Sequence, residues 1–396
     1  MIRCSRCLLP TTHETIRFNS DGVCSVCLNH DQKLNIDWET KKIELEDLLN
    51  SVRGKHDYDC ILPFSGGKDS TFTLLYAVKD LKLKPLVVSF DHGFYRPKLI
   101  ANRQNVLNEL GVDFLSFTPN WKLVQKLMLK SFLDKGDFCW HCHTGIFSYP
   151  MWIALEKKIP LVLWGEPSSE YTSYYDYSEI EKVDETRFNR LVNLGISAKD
   201  MAARLNFEHD IRDFKPYTFP SVSELSQINL ISVPLGSFIP WDVKVQVSRI
   251  KNELGWTGDS VEGVPPEYDY EKVECYMQGV RDYIKFLKRG YARTTHLTSI
   301  DIRNGRKNRA ESLALVNEYE NKKPASLPIF LDYIGLTENQ FMEVIKNHKL
   351  INKEEDGELL LSIGPKPKDQ NLWSRHPDMK KSVSSKLYTE WLNENS

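Results

Sequence analysis

The sequence predicts a doubly wound α/β fold with a parallel sheet, preceded by a small zinc-ribbon-like knuckle and followed by a mainly helical region. Three observations lead to this prediction. Short, continuously apolar strands alternate with helical patterns from residue 57 to residue 164. Two C-x-x-C pairs occur within the first thirty residues, and after residue 236 helical patterns prevail and basic residues cluster. Continuous apolar strands joined by helices are typical of parallel sheets covered on both faces.

The length and composition limit the classes of protein to consider. A chain of 396 residues is long enough for two or three domains, and we predict units at 1–35, 36–235 and 236–396. The net charge of -2 gives no general basic field, so no nucleic-acid partner is expected. The sequence has no apolar run that would span a membrane, and its first residues lack the apolar core of a signal peptide. We therefore expect a cytoplasmic protein whose eight cysteines bind metal or react rather than form disulfides.

The first thirty residues predict a structural zinc site. Four thiolates in two C-x-x-C pairs form a closed tetrahedral set of ligands, here Cys4, Cys7, Cys24 and Cys27. The residues between the pairs predict a hairpin that turns at Asp21-Gly22. So small a unit cannot bury a core, and the metal would supply its folding energy. We interpret His13 and His30 as surface residues rather than ligands.

A polar helix over residues 31–56 leads into the main domain, with one buried face at Ile43, Leu45, Leu48 and Leu49. The patterns that follow predict four strands, at Asp59–Phe64, Pro85–Phe90, Asp113–Phe117 and Pro160–Trp164. They predict helices between these strands at Thr71–Leu81, Pro97–Leu110, Trp121–Leu133 and Thr144–Lys157.

The loop SGGKDS, Ser65 to Ser70, lies between the first strand and its helix. Glycines let the backbone approach an anion, while backbone N–H groups and the helix dipole attract a phosphate. Lys68 adds positive charge, and Asp69 is explained if it helps to hold Mg²⁺ on the phosphate. The loop lacks the G-x-x-x-x-G-K-[ST] spacing of a Walker A motif.

This loop resembles the PP-loop of the ATP pyrophosphatases (adenine nucleotide alpha hydrolase-like proteins), which adenylate a substrate oxygen and release pyrophosphate. The resemblance implies that Lys68, Asp69 and Glu166 act in catalysis. It also implies that ATP is bound by the following residues: Ser65, Gly66, Gly67, Lys68, Asp69, Ser70, Ser89, Phe90 and Asp91. These positions follow predicted strands, whose carboxyl ends carry ligands in such sheets. We interpret His92 as a general acid or base, or as a solvated loop residue.

A second cysteine pair occurs in the sequence FCWHCH, at Cys139 and Cys142. Such a pair binds metal, supplies reactive thiols, or packs inside at a helix start. An iron–sulfur cluster needs at least one more thiol, and Cys60 would serve only if the fold brought it near. Cys275 falls in a predicted helix, Glu271–Leu287, and we interpret it as structural.

Two further segments contain substrate-binding candidates. The Tyr/Ser-rich stretch SSEYTSYYDYSE forms either a sugar-binding wall or a surface loop. Among the basic residues of the C-terminal region, Arg293, Arg303 and Arg306 are placed in loops and are the candidates for binding the phosphates of a nucleotide-linked substrate.

The combination of motifs resembles the bacterial N-acetyl sugar amidotransferases of surface-polysaccharide and nonulosonic-acid biosynthesis. The shared motifs are the two leading C-x-x-C pairs, YDCILPFSGGKDS, CWHCHTG, WGE and RDYIKFLKRGYARTTHLTSIDIRNGR. The resemblance implies that ATP, with Mg²⁺, adenylates the acetamido oxygen of an N-acetyl sugar and that ammonia then displaces AMP. The sequence has no glutaminase triad, so ammonia would come from separate glutaminase/cyclase-like subunits. The chain itself is compatible with a homo-oligomer.

Two alternative functions remain open at this point. One is a tRNA or small-molecule thiolase of the PP-loop type that uses Cys139 and Cys142. The other is a zinc-ribbon interaction protein in which the nucleotide site is regulatory. Sulfur transfer would distinguish the first from an amidotransferase, and ATP–pyrophosphate exchange would exclude the second.

Overall fold

Five parallel strands form the central sheet of the computed structural model, which describes residues 1–170, 172, 175–177, 179–206, 209–351, 362–363 and 385–395. The strands are β1 Cys60–Pro63, β2 Pro85–Phe90, β3 Asp113–Phe117, β4 Leu161–Trp164 and β5 Ile231–Pro234. A short parallel pair lies in the C-terminal region, with β6 at Lys322–Lys323 and β7 at Ser362–Ile363. The predicted parallel α/β fold is confirmed, and the apolar run at Leu230–Leu235 supplies its fifth strand.

The strand order is β3-β2-β1-β4-β5. The chain proceeds outward from β1 in one direction to β3, then returns to the other side of β1 to form β4 and β5. In such doubly wound sheets the loops after the two central strands diverge and leave a crevice at the carboxyl edge. The crevice here lies between the ends of β1 and β4.

Helices cover the sheet and build most of the rest of the chain. Those of the first half are α1 Ser25–Lys33, α2 Trp38–Val52, α3 Lys68–Lys79, α4 Pro97–Leu110, α5 Trp121–Lys135, α6 Trp140–Lys157, α7 Glu185–Arg187 and α8 Ala198–Arg204. Those of the second half are α9 Val222–Ser226, α10 Val243–Leu254, α11 Gln278–Arg289, α12 Arg293–Arg303, α13 Arg309–Tyr319, α14 Leu327–Ile334, α15 Glu338–Asn347 and α16 Ser385–Asn395. In the part of the chain that the structure describes, none of them combines the length and apolar character of a membrane-spanning helix.

Alternate residues of the central strands pack into different cores, as the period of two requires. Cys60 and Leu62 of β1 face the core beneath α2, α3 and α10, whereas Ile61 faces the core on the opposite side. Both cores are apolar, which explains why the strands read as continuous hydrophobic runs in the sequence.

Helix α6 packs closely against the end of β2 through a glycine. A Cβ atom on Gly145 would lie 2.4 Å from the ring of Phe90. Since real Cβ atoms do not come so near, a side chain here would push the helix away from the strand. The glycine therefore fixes where the cysteine-bearing start of α6 lies relative to the carboxyl edge of the sheet.

The C-terminal region packs directly on the sheet domain. Trp256, which follows α10, is fully buried and donates its indole N–H to the carbonyl oxygen of Gly66 at 3.0 Å. Val247 and Ile250 of α10 belong to the same core as Leu74 and Leu75 of α3. The domain boundaries at 35 and 235 stay a prediction.

Three details of the predicted elements are wrong, each for a physical reason. The helix predicted over 31–56 is two helices, because Asp37 caps α2 by accepting from the N–H groups of Glu39 and Thr40. Ile43, predicted to be buried, is 62% exposed. The helix predicted from Glu271 begins only at Gln278, because Cys275 pairs with Tyr95 in an antiparallel bridge, and this tertiary pairing prevails over helix propensity.

Candidate active site

The loop Ser65–Ser70 joins β1 to α3 at the edge of the crevice. Ser70 Oγ accepts from the N–H groups of Ser65 (3.3 Å) and Gly66 (3.1 Å), and Ser65 Oγ accepts from that of Gly67 (3.2 Å). Three consecutive amides thus point inward at the start of a helix, where the dipole adds positive potential. In an anion-binding nest, phosphate oxygens accept the hydrogen bonds of such amides. Here the hydroxyls of Ser65 and Ser70 accept them.

Side chains pack closely against both loop glycines. Gly66 has φ of +87°, and a Cβ on it would lie 2.2 Å from Cγ of Arg103. A Cβ on Gly67 would lie 1.9 Å from Oε1 of Glu274. Arg103 and Glu274 therefore border the loop, although sequence reasoning did not identify either.

Arg103 brings an additional positive charge to the loop. Its guanidinium lies 4.4 Å from the ring centroid of Tyr95 and 5.3 Å from that of Phe114. A cation stacked between aromatic rings beside an amide nest is suited to contact a phosphate oxygen.

Lys68 is buried, and two carboxylates hold it. Its Nζ lies 2.8 Å from Oδ2 of Asp69 and 2.9 Å from Oε2 of Glu271, and Lys68 and Glu271 are 4% and 2% exposed. Although burial favours the neutral acid, the charges of Lys68, Lys272 and Arg293 lower the pKa of Glu271 to about 2. The pair is therefore ionised at neutral pH, inside the protein.

The acidic groups of the site suit a divalent cation. Oδ1 of Asp69 is buried and has no hydrogen-bond partner in the part of the chain that the structure describes. Glu271 and Glu274 add negative charge beside the loop. A site that bound phosphate alone would exclude such charge, because it repels the phosphate. Carboxylate oxygens and bound phosphates are the ligands that Mg²⁺ prefers. The residues therefore fit Mg²⁺ bound together with a phosphate, with Asp69 as its protein ligand.

The end of β4 contacts the same loop. A Cβ on Gly165 would lie 2.6 Å from Oγ1 of Thr73 and 3.2 Å from the backbone oxygen of Asp69. The glycine lets β4 approach the first turn of α3, and Glu166 follows it directly. The structure thus brings the predicted residues Ser65 to Ser70 and Glu166 together across the crevice. Their roles in ATP binding and catalysis stay predictions.

The end of β2 carries the residues predicted to wrap the nucleotide. Ser89 Oγ lies 3.2 Å from the hydroxyl of Tyr95, and Asp91 Oδ1 accepts from the N–H of Gly93 at 2.8 Å. Phe90 is buried among aromatic rings in the core, and its backbone oxygen accepts from the hydroxyl of Tyr95 at 3.1 Å, so its predicted contact with ATP stays a prediction. His92 is not a solvated loop residue, because it is 5% exposed and its ring packs 4.3 Å from that of Tyr95.

The three predicted substrate arginines lie in different surroundings. Arg293 lies 3.4 Å from Glu271 and 3.4 Å from Asp282. Because Glu271 also pairs with Lys68, Arg293 belongs to the same network of ion pairs. Arg303 donates to the backbone oxygen of Glu170, and Arg306 pairs with Asp242 and Asp301, away from that network. The loop placement of two of them was wrong, since Arg293 begins α12 and Arg303 ends it. Substrate binding by these arginines stays a prediction.

Cys275 lies near the second cysteine pair, which the sequence interpretation missed, but among the described residues the three thiols do not form a compact group of metal ligands. Cys139 and Cys142 lie at the start of α6, and Cys275 is brought beside them by its bridge to Tyr95. Burial raises the pKa of Cys142, and the neighbouring thiol of Cys275 raises it further. Burial also raises the pKa of Cys275 to about 12. Cys60 lies in the core beneath α2 and α3 and is not the third thiol.

The four N-terminal cysteines form a compact site. Their sulfur atoms all lie within 4.8 Å of one another, and each cysteine is fully buried. The N–H groups of Cys7 and Cys24 donate to Sγ of Cys4, at 3.4 and 3.2 Å, and that of Leu9 donates to Sγ of Cys7 at 3.5 Å. Backbone donors to sulfur stabilise thiolate charge, which a metal ion requires of its ligands. The site can hold a metal ion such as zinc, in the predicted closed arrangement.

The knuckle packs on α12, which belongs to the C-terminal region of the chain. The N–H of Leu8 donates to Oγ of Ser299 at 3.2 Å, and Arg3 donates to Oγ1 of Thr295 at 3.3 Å. The expectation that His13 and His30 lie on the surface was wrong, because they are 8% and 6% exposed. Their burial reflects this packing: His13 stacks on Tyr291 at 5.7 Å.

The Tyr/Ser-rich segment lies only partly within the described residues. Tyr171, Ser173, Tyr174 and Ser178 are outside them. Tyr177 is buried, with Lys33 lying 5.4 Å from its ring centroid. A sugar-binding role for this segment stays a prediction.

Comparison with known proteins yields a family match over part of the chain. Residues 267–357 match the family model described as LPS biosynthesis protein WbpG-like, C-terminal domain. This match confirms the resemblance to enzymes of bacterial surface-sugar biosynthesis for that segment. The same segment contains Glu271, which pairs with Lys68, Glu274, which borders the loop Ser65–Ser70, and Arg293, which contacts Glu271.

Two individual proteins are also similar. Over 118 residues the chain is 34% identical to the uncharacterized protein MJ1599 of Methanocaldococcus jannaschii, covering 29% of this chain and 42% of that protein. The chain therefore spans less than half the length of this curated relative. The U34-tRNA thiolase NcsA from Methanococcus maripaludis, solved with its 4Fe–4S cluster, aligns over 81% of this chain and 87% of its own. At 12% identity and a TM-score of 0.31, this likeness carries no conclusion about function.

Replacement of Cys24 by alanine is expected to abolish metal binding at the knuckle. The purified wild-type protein should contain about one zinc per chain, and Cys24→Ala close to none, as measured by elemental mass spectrometry. Because the metal provides folding energy, the variant should also unfold at a lower temperature. Cys60→Ala, which removes a buried thiol elsewhere, should retain the zinc; equal zinc in both variants would contradict the site.

Glu271→Gln is expected to destabilise the protein in a pH-dependent manner. Since the pKa of Glu271 falls from 4.5 to about 2 on folding, its stabilisation is complete above pH 4.5 and is lost as the pH falls toward 2. The variant should lose about 3 kcal/mol of unfolding free energy at pH 7, with the difference shrinking below pH 4.5. Chemical denaturation at several pH values measures this. Glu267→Gln, which alters an exposed ion pair with Lys307, should have little effect.

Proposed function

We propose that this protein is an ATP-dependent, AMP-forming amidotransferase that acts on the acetamido group of an N-acetyl sugar. The amide oxygen attacks the α-phosphate of ATP, and pyrophosphate leaves. Ammonia then attacks the activated carbon, and AMP leaves to give an acetamidino sugar. The acceptor would be a nucleotide-linked sugar or a nonulosonic acid used in a surface polysaccharide or flagellin glycan.

One observation supports this proposal most strongly. The segment that matches the model of LPS biosynthesis proteins supplies Glu271, Glu274 and Arg293 to the loop between β1 and α3. A domain of surface-sugar biosynthesis and a phosphate-binding loop thus contribute to one site. Sugar chemistry and ATP chemistry are therefore expected at the same place.

The chain's own residues account for the first half of the reaction. The amides of Ser65, Gly66 and Gly67 and the N-terminus of α3 are positioned to accept the charge of departing pyrophosphate. Lys68 and Arg103 supply cations at the same loop. Mg²⁺ held by Asp69 would neutralise phosphate charge in the manner common to phosphoryl-transfer sites. An amide oxygen is a poor leaving group, and adenylation converts it into a good one.

The second half of the reaction needs ammonia. Because no glutaminase triad was found in the sequence, we propose that separate glutaminase/cyclase-like subunits deliver it. The purified chain should therefore use ammonium salts but not glutamine. Product formation from glutamine by the chain alone would remove the need for a partner.

A second candidate function, sulfur transfer, is favoured by one specific observation. Cys275 lies near Cys139 and Cys142, although the three thiols do not form a compact group of metal ligands among the described residues, and Glu274, the neighbour of Cys275, packs against Gly67 of the loop. Cysteine thiolates hold iron–sulfur clusters and also act as sulfur carriers. A thiolase would use the same adenylated intermediate with sulfide as the nucleophile.

Asp69→Asn is expected to lower ATP–pyrophosphate exchange by roughly 100-fold, because a ligand for Mg²⁺ at the phosphates is lost. Exchange should require an acetamido sugar. Mass spectrometry of the sugar after incubation with ATP, Mg²⁺ and ammonium should show a loss of about one dalton, since NH replaces O. Asp80→Asn, at the exposed far end of α3, is the matched control and should leave exchange intact. Exchange without any sugar dependence would contradict the proposal, and its complete absence would favour the regulatory nucleotide site.

Cys275→Ser separates the two candidate functions. For an amidotransferase, product formation from ammonium should stay within a few-fold of the wild type, since the thiols take no part in nitrogen transfer. For a thiolase, Cys139→Ser, Cys142→Ser and Cys275→Ser should each abolish sulfide-dependent product, and protein purified without oxygen should lose bound iron. Cys60→Ser serves as the control for loss of a buried thiol.

A further inference from the structure

A cavity of about 290 Å³ lies between the knuckle, the end of α5 and the helices α11 and α12. Its volume is near the lower limit of small-molecule sites. Three acidic side chains line it, against six basic ones: Lys135, Arg281, Lys285, Lys288, Arg289 and Arg293. The cavity is therefore strongly positive, although the whole chain carries a net charge of -2.

Several of these cations have structural partners. Lys288 donates to the backbone oxygens of Lys135 and Gly136, at 2.8 and 3.1 Å, and so caps the end of α5. Arg289 pairs with Glu14 at 3.0 Å and donates to the backbone oxygen of Thr12. These contacts explain two of the basic residues without any ligand.

Of the other four basic residues, Lys135 ends α5, and Arg281, Lys285 and Arg293 make the following contacts. The guanidinium of Arg281 lies 3.9 Å from Asp137, and Arg293 shares Glu271 and Asp282 at 3.4 Å each. The Nζ of Lys285 lies 2.9 Å from Nε2 of His296 and 4.6 Å from the ring centroid of Tyr291, so both of these contacts are with rings that carry no negative charge. Burial lowers the pKa of Lys285 to about 8; Glu14 opposes this shift, and Arg293 and Arg281 add to it.

Arg281, Lys285 and Arg293 line one cavity together, and an anion bound there would offset their mutual repulsion. The cavity is also connected to the loop. Arg293 lines it and contacts Glu271, which pairs with Lys68. Arg293 and Glu271 therefore lie between a molecule bound in the cavity and the loop Ser65–Ser70.

We propose that this cavity binds the anionic part of the acceptor, a phosphate or carboxylate, through Arg281, Lys285 and Arg293. The inference that the bound molecule is the acceptor rests on the proposed function. The anion site itself follows from the charges of the side chains that line the cavity. The acceptor is accordingly a charged sugar derivative, not a free neutral N-acetyl sugar. Guanidinium groups bind both kinds of anion in bidentate fashion.

Calorimetric titration of the full-length protein tests the site without relying on turnover. The probes are UDP-N-acetylglucosamine for a diphosphate, N-acetylneuraminate for a carboxylate and N-acetylglucosamine as the neutral sugar. We expect one of the two anionic probes to bind at least tenfold more tightly than the neutral one, and the tighter probe identifies the anion. Lys285→Gln should weaken that binding at least tenfold. Lys157→Gln, which removes an exposed charge at the end of α6, should not.

The thermal stability of the same variant provides a second measurement. Because Lys285→Gln removes repulsion, the ligand-free variant should unfold at the same or a higher temperature than the wild type. Lower stability together with unchanged affinity would mean that Lys285 is structural and would overturn the site. Equal binding of neutral and anionic sugars by the wild type would also overturn it.

Turnover separates failure of this inference from failure of the proposed function. Amidination of a neutral acceptor with KM unchanged in Lys285→Gln would refute the anion site and leave the amidotransferase function intact. Binding of an anionic probe that is lost in Lys285→Gln, with no amidine from any acceptor, would support the site and refute the function.

Discussion

The ion pair between Lys68 and Glu271 is the interaction on which the rest of the site depends. It joins the first turn of α3 to a segment two hundred residues later, and both partners are almost completely buried. A charged pair inside a protein stabilises the fold only when each charge keeps its partners. Asp69 is the second partner of Lys68, and Arg293 is the second partner of Glu271. The loop, the C-terminal segment and the basic cavity are therefore parts of one electrostatic network.

The topology of the sheet explains where this network lies. Since β1 and β4 are neighbours but their following loops diverge, the carboxyl edge opens between them. Ser65 to Ser70 and Gly165-Glu166 occupy the two sides of this opening. The strands themselves contribute apolar side chains to the cores, so they hold the site in place without taking part in its chemistry.

Much of this arrangement could be predicted from the sequence because its signals are local. Continuous apolar strands, the glycine loop and the paired cysteines each need only neighbouring residues to be recognised. Glu271, Glu274 and Cys275 could not be predicted, because their positions come from a bridge between Tyr95 and Cys275 that interrupts an apparently helical pattern. The prediction that Arg303 lies in a loop was also wrong. The glycine and serine near it in the sequence are typical of loops and do not indicate that Arg303 ends a helix beside the knuckle. The pairing between Tyr95 and Cys275, not composition, decided the positions of Glu271, Glu274 and Cys275.

The packing of the knuckle on α12 has a consequence for the order of folding. Leu8 and Ser299, which touch through a hydrogen bond, are separated by 291 residues. During synthesis the four cysteines emerge before α12 and can take up a metal ion at once, whereas the surface on which they pack exists only after residues 293–303 have been made. Contacts of such long range slow the final assembly of a protein. Until that step is complete, Glu271 and Arg293 are not at the loop, so a partly made chain carries the glycine loop without the groups that complete its site.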